Sequence, residues 1–205
     1  MNRILLALAF LTAPLVSGQI LSPEEFLGYP IGTKYSRHHQ MVAYFEHLAK
    51  NSDWISFDQY GQTNERRSLN YAVITAPENR AQLEEIRQNN LRQIGMLPGD
   101  ASPEVAIVWL SYNVHGNEAS SMEAAMQTAY ELINTQSAWL NNTVVIMDPC
   151  VNPDGRDRYA NWYNQVGTNP YNPLQSADEH NEPWPGGRPS SRRPNDAQAR
   201  LEATG

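Results

Sequence analysis

Apolar residues change their spacing several times along this chain, and each change predicts an element. Within residues 34–50, Met41, Val42, Phe45, Leu48 and Ala49 recur at helical intervals, and Asn51 is a reasonable stop. The stretch before it, 19–36, is polar and rich in Gly and Pro, with a helix-start signal at Ser22-Pro23-Glu24-Glu25. Two strand-like runs follow, "WISFDQYG" and "SLNYAVITA", joined by the polar "QTNERR". They read as an antiparallel hairpin. Residues 78–94 place Leu83, Ile86, Leu91 and Ile94 on one side of a helix, which "LPGDASP" then breaks. "EVAIVWLSY" is nearly all apolar, the pattern of a strand buried on both faces. A helical stripe of Met122, Met126, Ala129, Leu132 and Ile133 comes next, and then a second buried-strand run, "TVVIMDP". Strand, helix, strand in that order is a βαβ unit with parallel pairing. The expected fold is α/β, with a mixed, mostly parallel central sheet and the earlier hairpin at one edge.

The ends of the chain read differently. "MNR" followed by "ILLALAFLTAPLV" and "SGQ" gives a short positive start, an apolar run and small residues at a cut site after Gly18. A membrane span needs about 20 apolar residues, and Pro14 interrupts this run. Residues 1–18 are therefore expected to be a cleaved signal peptide, and the protein to be secreted or periplasmic with no membrane attachment afterwards. Removing this segment, with its single Arg3, takes the formal charge from −7 to −8. So acidic a chain is not a nucleic-acid binder. Cys150 is the sole cysteine, so no disulfide can form within the chain. The last 18 residues, 188–205, hold four Arg, no aromatic residue and one large aliphatic, Leu201. Such a segment buries too little apolar surface to offset its ordering entropy and is expected to be disordered.

The candidate chemistry lies where the first buried strand ends. In open α/β sheets, ligands sit outside the carboxyl ends of the strands. His115 stands just past such an end, Gly116 permits a turn, Asn117 is a candidate helix cap, and Glu118 falls in or beside the first helical turn. An imidazole nitrogen and a carboxylate oxygen converging there are two suitable zinc ligands. Equally, the His serves a turn and the Glu serves the helix N-terminus. The second buried strand ends in "DPCVNPDGRDRY", where Asn-Pro-Asp-Gly reads as a turn. Arg156 and Arg158 follow at the same sheet edge, as surface charge or as a fork for a carboxylate.

Taken in order, "NVHGNEASS", "NPDGRDRY" and "EHNEPWPGG" resemble the zinc carboxypeptidases, and the last of these resembles their exported bacterial members. The resemblance spans roughly residues 20–187 and implies a three-layer carboxypeptidase-like domain. It implies Zn²⁺ held by His115 and Glu118, and peptide or protein C-termini as substrates. Arg158 or Arg156 would then help polarise the scissile carbonyl or hold the substrate carboxylate. The family's second zinc His, its Asn-Arg pair and its catalytic Glu lie well downstream, yet only 87 residues follow Glu118 and His180 is their only His. His180 aligns with the "EHNEPWPGG" segment rather than with the zinc ligand, so the second zinc His and the downstream general-base Glu are expected to be missing. The reading frame is accordingly expected to be truncated or shifted near Gly187, with the polypeptide possessing little activity. A zinc amidase or deacylase of the same fold, acting on peptidoglycan peptides or small amides, and a non-catalytic secreted binding domain are the alternatives.

Overall fold

Ser22 and Glu25 cap each other at the start of the first helix, α1 (Pro23–Leu27): the Ser22 hydroxyl accepts from Glu25 N–H, and the Glu25 carboxylate accepts from Ser22 N–H at 2.8 Å. Gly28 ends it in the left-handed region at φ 74°. The computed structural model describes residues 18–166 except 103 and 119. Residues 1–17 of the expected signal peptide, the 188–205 tail, His180 and "EHNEPWPGG" lie outside the described residues.

Helix α2 (His38–Asn51) buries Met41, Phe45 and Leu48 of the stripe read from sequence and adds Tyr44, completing an i, i+3, i+4, i+7 face, while Val42 and Ala49 are only partly buried. The hairpin forms as expected from β1 (Ile55–Gln62) and β2 (Ser68–Ile74). Helices α3 (Pro77–Arg80) and α4 (Leu83–Gln93) lead to β3 (Ala106–Ser111). Helix α5 (Ser121–Asn134), a 3₁₀ turn at Ser137–Asn142, β4 (Thr143–Asp148) and α6 (Pro153–Val166) follow. The sheet order is β1-β2-β4-β3, with β1–β2 and β2–β4 antiparallel and β3–β4 parallel. It is a mixed sheet of four strands with the hairpin at one edge.

Alternation along the strands divides the core. Ala72, Ile74, Val145 and Met147 face α2 and α5, meeting Phe45, Leu48, Met122 and Met126. Val73 and Val144 face the other way, onto Ile86 of α4. Helices therefore cover both faces, giving three layers. Each fully buried large side chain here contributes about 1.5–3 kcal/mol through apolar burial.

Four expectations change. The helix expected over 78–94 is two, broken at Ala81-Gln82. Asn79 bonds the carbonyls of Leu140 and Asn141, and Arg80 bonds those of Asp53 and Ile55. These bonds tie α3 down while α4 turns to lay Ile86 on the sheet. Strand β3 is not buried on both faces: Ile107, Val108 and Trp109 are exposed, Trp109 at 66%. It is an edge strand among the described residues, paired only with β4. Asn-Pro-Asp-Gly is not a free turn but the start of α6, with Asn152 Oδ1 accepting from Gly155 N–H at 3.1 Å and Pro153 opening the helix. Helix α5 begins at Ser121, so Asn117 does not cap it and Glu118 precedes it. No helix among the described residues is long and apolar enough to cross a membrane.

Candidate functional site

Strands β3 and β4 run parallel, so their carboxyl ends lie at one edge and the loops leaving them meet. The ladder continues past both strands. Tyr112 N–H donates to Asp148 O at 2.9 Å, Val151 N–H to Tyr112 O at 3.0 Å, and Asn152 N–H to Asn113 O at 3.1 Å. The segment carrying His115 is thereby sewn to the segment that opens α6.

His115 Nδ1 lies 2.7 Å from Glu118 Oε1, and Glu118 Oε2 accepts from His115 N–H at 3.1 Å. Glu118 N–H returns to His115 O at 3.0 Å, closing a tight turn. The carboxylate is thus directed at the imidazole, not at the helix N-terminus. Both side chains reach solvent, at 34% and 45% exposure. One ring nitrogen and one carboxylate oxygen, adjacent and accessible, are chemically suited to a divalent transition metal. Tetrahedral zinc with bonds of about 2.0–2.1 Å sets neighbouring donors roughly 3.3 Å apart, so the pair needs only a small parting to admit it. Among the described residues no group of three or more His, Cys, Asp or Glu side chains gathers to complete a metal site.

The two arginines separate. Arg156 is removed from substrate contact: it is wholly buried, donating to Glu123 Oε1 at 2.5 Å and from Nε to Ser36 O at 3.0 Å, with Tyr35 beneath its guanidinium. Burial excludes a buried cation from an open substrate site. Arg158 stays half-buried at 35% exposure, held by Glu65 Oε1 at 3.0 Å. It adjoins an ion network centred on Arg67, which reaches Glu65, Asp154 and Asp157 at 2.6, 2.7 and 2.8 Å. Burial pushes the Asp154 carboxyl up, but hydrogen bonds from Thr63 and Arg67 outweigh it and hold it below the usual carboxylate range. At the same sheet edge the Tyr60 hydroxyl donates to Asp148 Oδ2 at 2.6 Å, and burial raises the Asp148 carboxyl.

The zinc carboxypeptidase family model matches residues 41–197. The chain belongs to the zinc carboxypeptidase family. No curated protein matches it significantly. Among solved structures it is similar to carboxypeptidase A from Helicoverpa armigera, at 20% identity and a TM-score of 0.46, covering 65% of this chain and 31% of that one. It is also similar to a metallo-carboxypeptidase from Burkholderia cenocepacia, at 16% identity and a TM-score of 0.40, over 60% and 28% of the two chains. Bovine thrombin-activatable fibrinolysis inhibitor, in complex with a tick carboxypeptidase inhibitor, is similar at 13% identity and a TM-score of 0.45, over 62% and 34%. The chain spans about a third or less of the length of these relatives.

Several residues of this family member were not singled out from sequence. Asn113, at φ 53° and wholly buried, lies between the two strand ends. Glu123 holds Arg156, and the sequence did carry a signal for it: a charge set among Met122, Ala125 and Met126, which implies a buried cation nearby. Arg67 carried no signal that sets it apart from the neighbouring Arg66.

Proposed function

We propose that this chain is the ligand-bearing N-terminal part of a zinc-dependent carboxypeptidase, releasing C-terminal residues from peptides. The observation that carries the reading is the His115–Glu118 pair, 2.7 Å apart at the carboxyl edge of the sheet, in a chain of this family. His115 and Glu118 would hold Zn²⁺. When bound, zinc lowers the pKa of a coordinated water towards about 7 and polarises a carbonyl. With the pair parted around the metal, the bond from the His115 backbone N–H to Glu118 Oε2 would still hold the carboxylate beside the ring. Arg158 is the described cation suited to a substrate carboxylate, its fork exchanging Glu65 for the peptide's terminus. We further propose export, with residues 1–18 removed, which N-terminal sequencing of the mature protein would check.

Among the described residues two side chains are placed to hold zinc, and two protein ligands bind it less tightly than three, so low turnover that depends on added Zn²⁺ is expected. The test is hydrolysis of short peptides with basic or aromatic ends, each with a free or an amidated C-terminus, by wild type, His115→Ala and Glu118→Ala. Cleavage confined to the free terminus and lost in both variants supports the reading. Equal cleavage of amidated peptides moves the reading to an amidase, and hydrolysis indifferent to both substitutions overturns it.

A further inference from the structure

We infer that Asn113 is a positioning residue that sets the His115–Glu118 turn, an inference that rests on the metal-ligand reading of that pair. Four contacts converge on it. Its side-chain Nδ2 donates to His115 O at 2.9 Å. Its Oδ1 accepts from the Cys150 thiol at 3.2 Å. Its backbone N–H donates to Ser121 Oγ at 2.7 Å, and its carbonyl accepts from Asn152 N–H at 3.1 Å. The side chain thus ties the His115 turn to Cys150 after β4, while the backbone of the same residue ties the end of β3 to the start of α5 and to Asn152.

The backbone explains why asparagine stands there. Asn113 sits at φ 53°, where side chains other than those of Gly, Asn and Asp are disfavoured. Of the three, Gly lacks the amide, and Asp lacks a donor for His115 O. Asparagine combines the left-handed conformation with a short side chain that carries a donor on one atom and an acceptor on the other. The His115 carbonyl it holds is also the acceptor for Glu118 N–H. Fixing that oxygen fixes both ends of the turn that brings imidazole and carboxylate together. Outer partners of metal ligands act in this way, orienting groups they do not replace.

The experiment compares wild type with Asn113→Gly, which keeps the left-handed backbone but deletes the amide. Hydrogen exchange is read residue by residue in the metal-free full chain, beside Zn²⁺ binding by calorimetry. Exchange at the His115 and Glu118 amides should accelerate about tenfold or more relative to amides inside α5 and β4, and Zn²⁺ affinity should fall about ten- to a hundredfold. A merely structural role would raise exchange throughout the sheet by one common factor and leave the affinity of the folded protein unchanged, and that result overturns the inference. If wild type binds no Zn²⁺ while the local exchange effect is present, positioning of the turn stands and the metal reading fails. Should Asn113→Gly not fold, the wild-type protein decides. Asn113 side-chain amide protons protected from solvent support the hydrogen bond to His115 O, and protons exchanging at the free-amide rate refute it.

Discussion

Replacing Arg156 with methionine distinguishes a structural pin from a substrate ligand. The guanidinium is wholly buried, and Glu123, itself 4% exposed, receives its Nη2 at 2.5 Å. Removing one partner of such a pair leaves an uncompensated buried charge and costs about 3–5 kcal/mol. The Ser36 carbonyl also loses its Nε donor, at roughly 1 kcal/mol, while the methionine chain restores part of the packing. The net expectation is a loss of about 4 kcal/mol, a large share of the 5–15 kcal/mol typical of a folded protein. At about 2–4 °C per kcal/mol for a chain of this size, the melting temperature drops by roughly 8–16 °C. Urea unfolding at constant m-value measures it directly. Because the cost is the orphaned charge, Glu123→Gln combined with Arg156→Met should cost less than the two singles together, with a coupling above about 1 kcal/mol. A loss below about 1 kcal/mol accompanied by a raised KM for peptides would refute the reasoning and return Arg156 to the substrate site.

Other outcomes follow from the charged groups around it. Arg158→Ala should leave stability within about 0.5 kcal/mol, since its pair with Glu65 is half-exposed, yet raise KM for free-C-terminal peptides roughly tenfold or more, as expected for a lost charge-assisted bond. An unchanged KM would remove Arg158 from substrate recognition. Burial lowers the His38 pKa, with Asp157 opposing it; the unfolded chain therefore takes up the proton first, near pH 6.5. Stability should fall as pH drops below that value and level off below the folded pKa, and His38→Gln should reduce this slope in urea titrations across pH 4–7, leaving the part of the same sign that comes from His47, which burial also lowers. Asp154 titrates below its unfolded value of about 3.9, so its contribution is present above that pH and is lost as acid carries it through the folded pKa. Arg67→Ala, which removes the partner, should flatten acid unfolding in that window, and an unaltered acid limb would count against the network.

Much of the fold was legible because local pattern and tertiary role agree. The α2 stripe, the "QTNERR" hairpin and the strand–helix–strand order each specify burial through spacing alone. The misses have specific causes. The apolar run of β3 records what a strand can bury, not what lies beside it, so a strand at the edge among the described residues, with Trp109 exposed, reads the same as a central one. Asn-Pro-Asp-Gly carries the signals of a turn and those of a helix start, and only the Asn152–Gly155 bond decides between them. The break at Ala81-Gln82 comes from Arg80 and Asn79 reaching distant carbonyls, contacts with no local signature. At the candidate site, the meeting of His115 and Glu118, 2.7 Å apart, was legible because their spacing falls at a strand end. Arg156 and Arg158 are two residues apart on α6, and only the packing shows that one points inward and the other toward the hairpin.

Equilibrium dialysis against Zn²⁺, followed by metal analysis of wild type, His115→Ala and Glu118→Ala at matched folded concentration, tests the site most directly. Bound zinc approaching one ion per wild-type chain, and at least tenfold weaker retention in each variant, is the predicted result. Equal zinc content in all three proteins would contradict the assignment of His115 and Glu118 as the metal-holding pair.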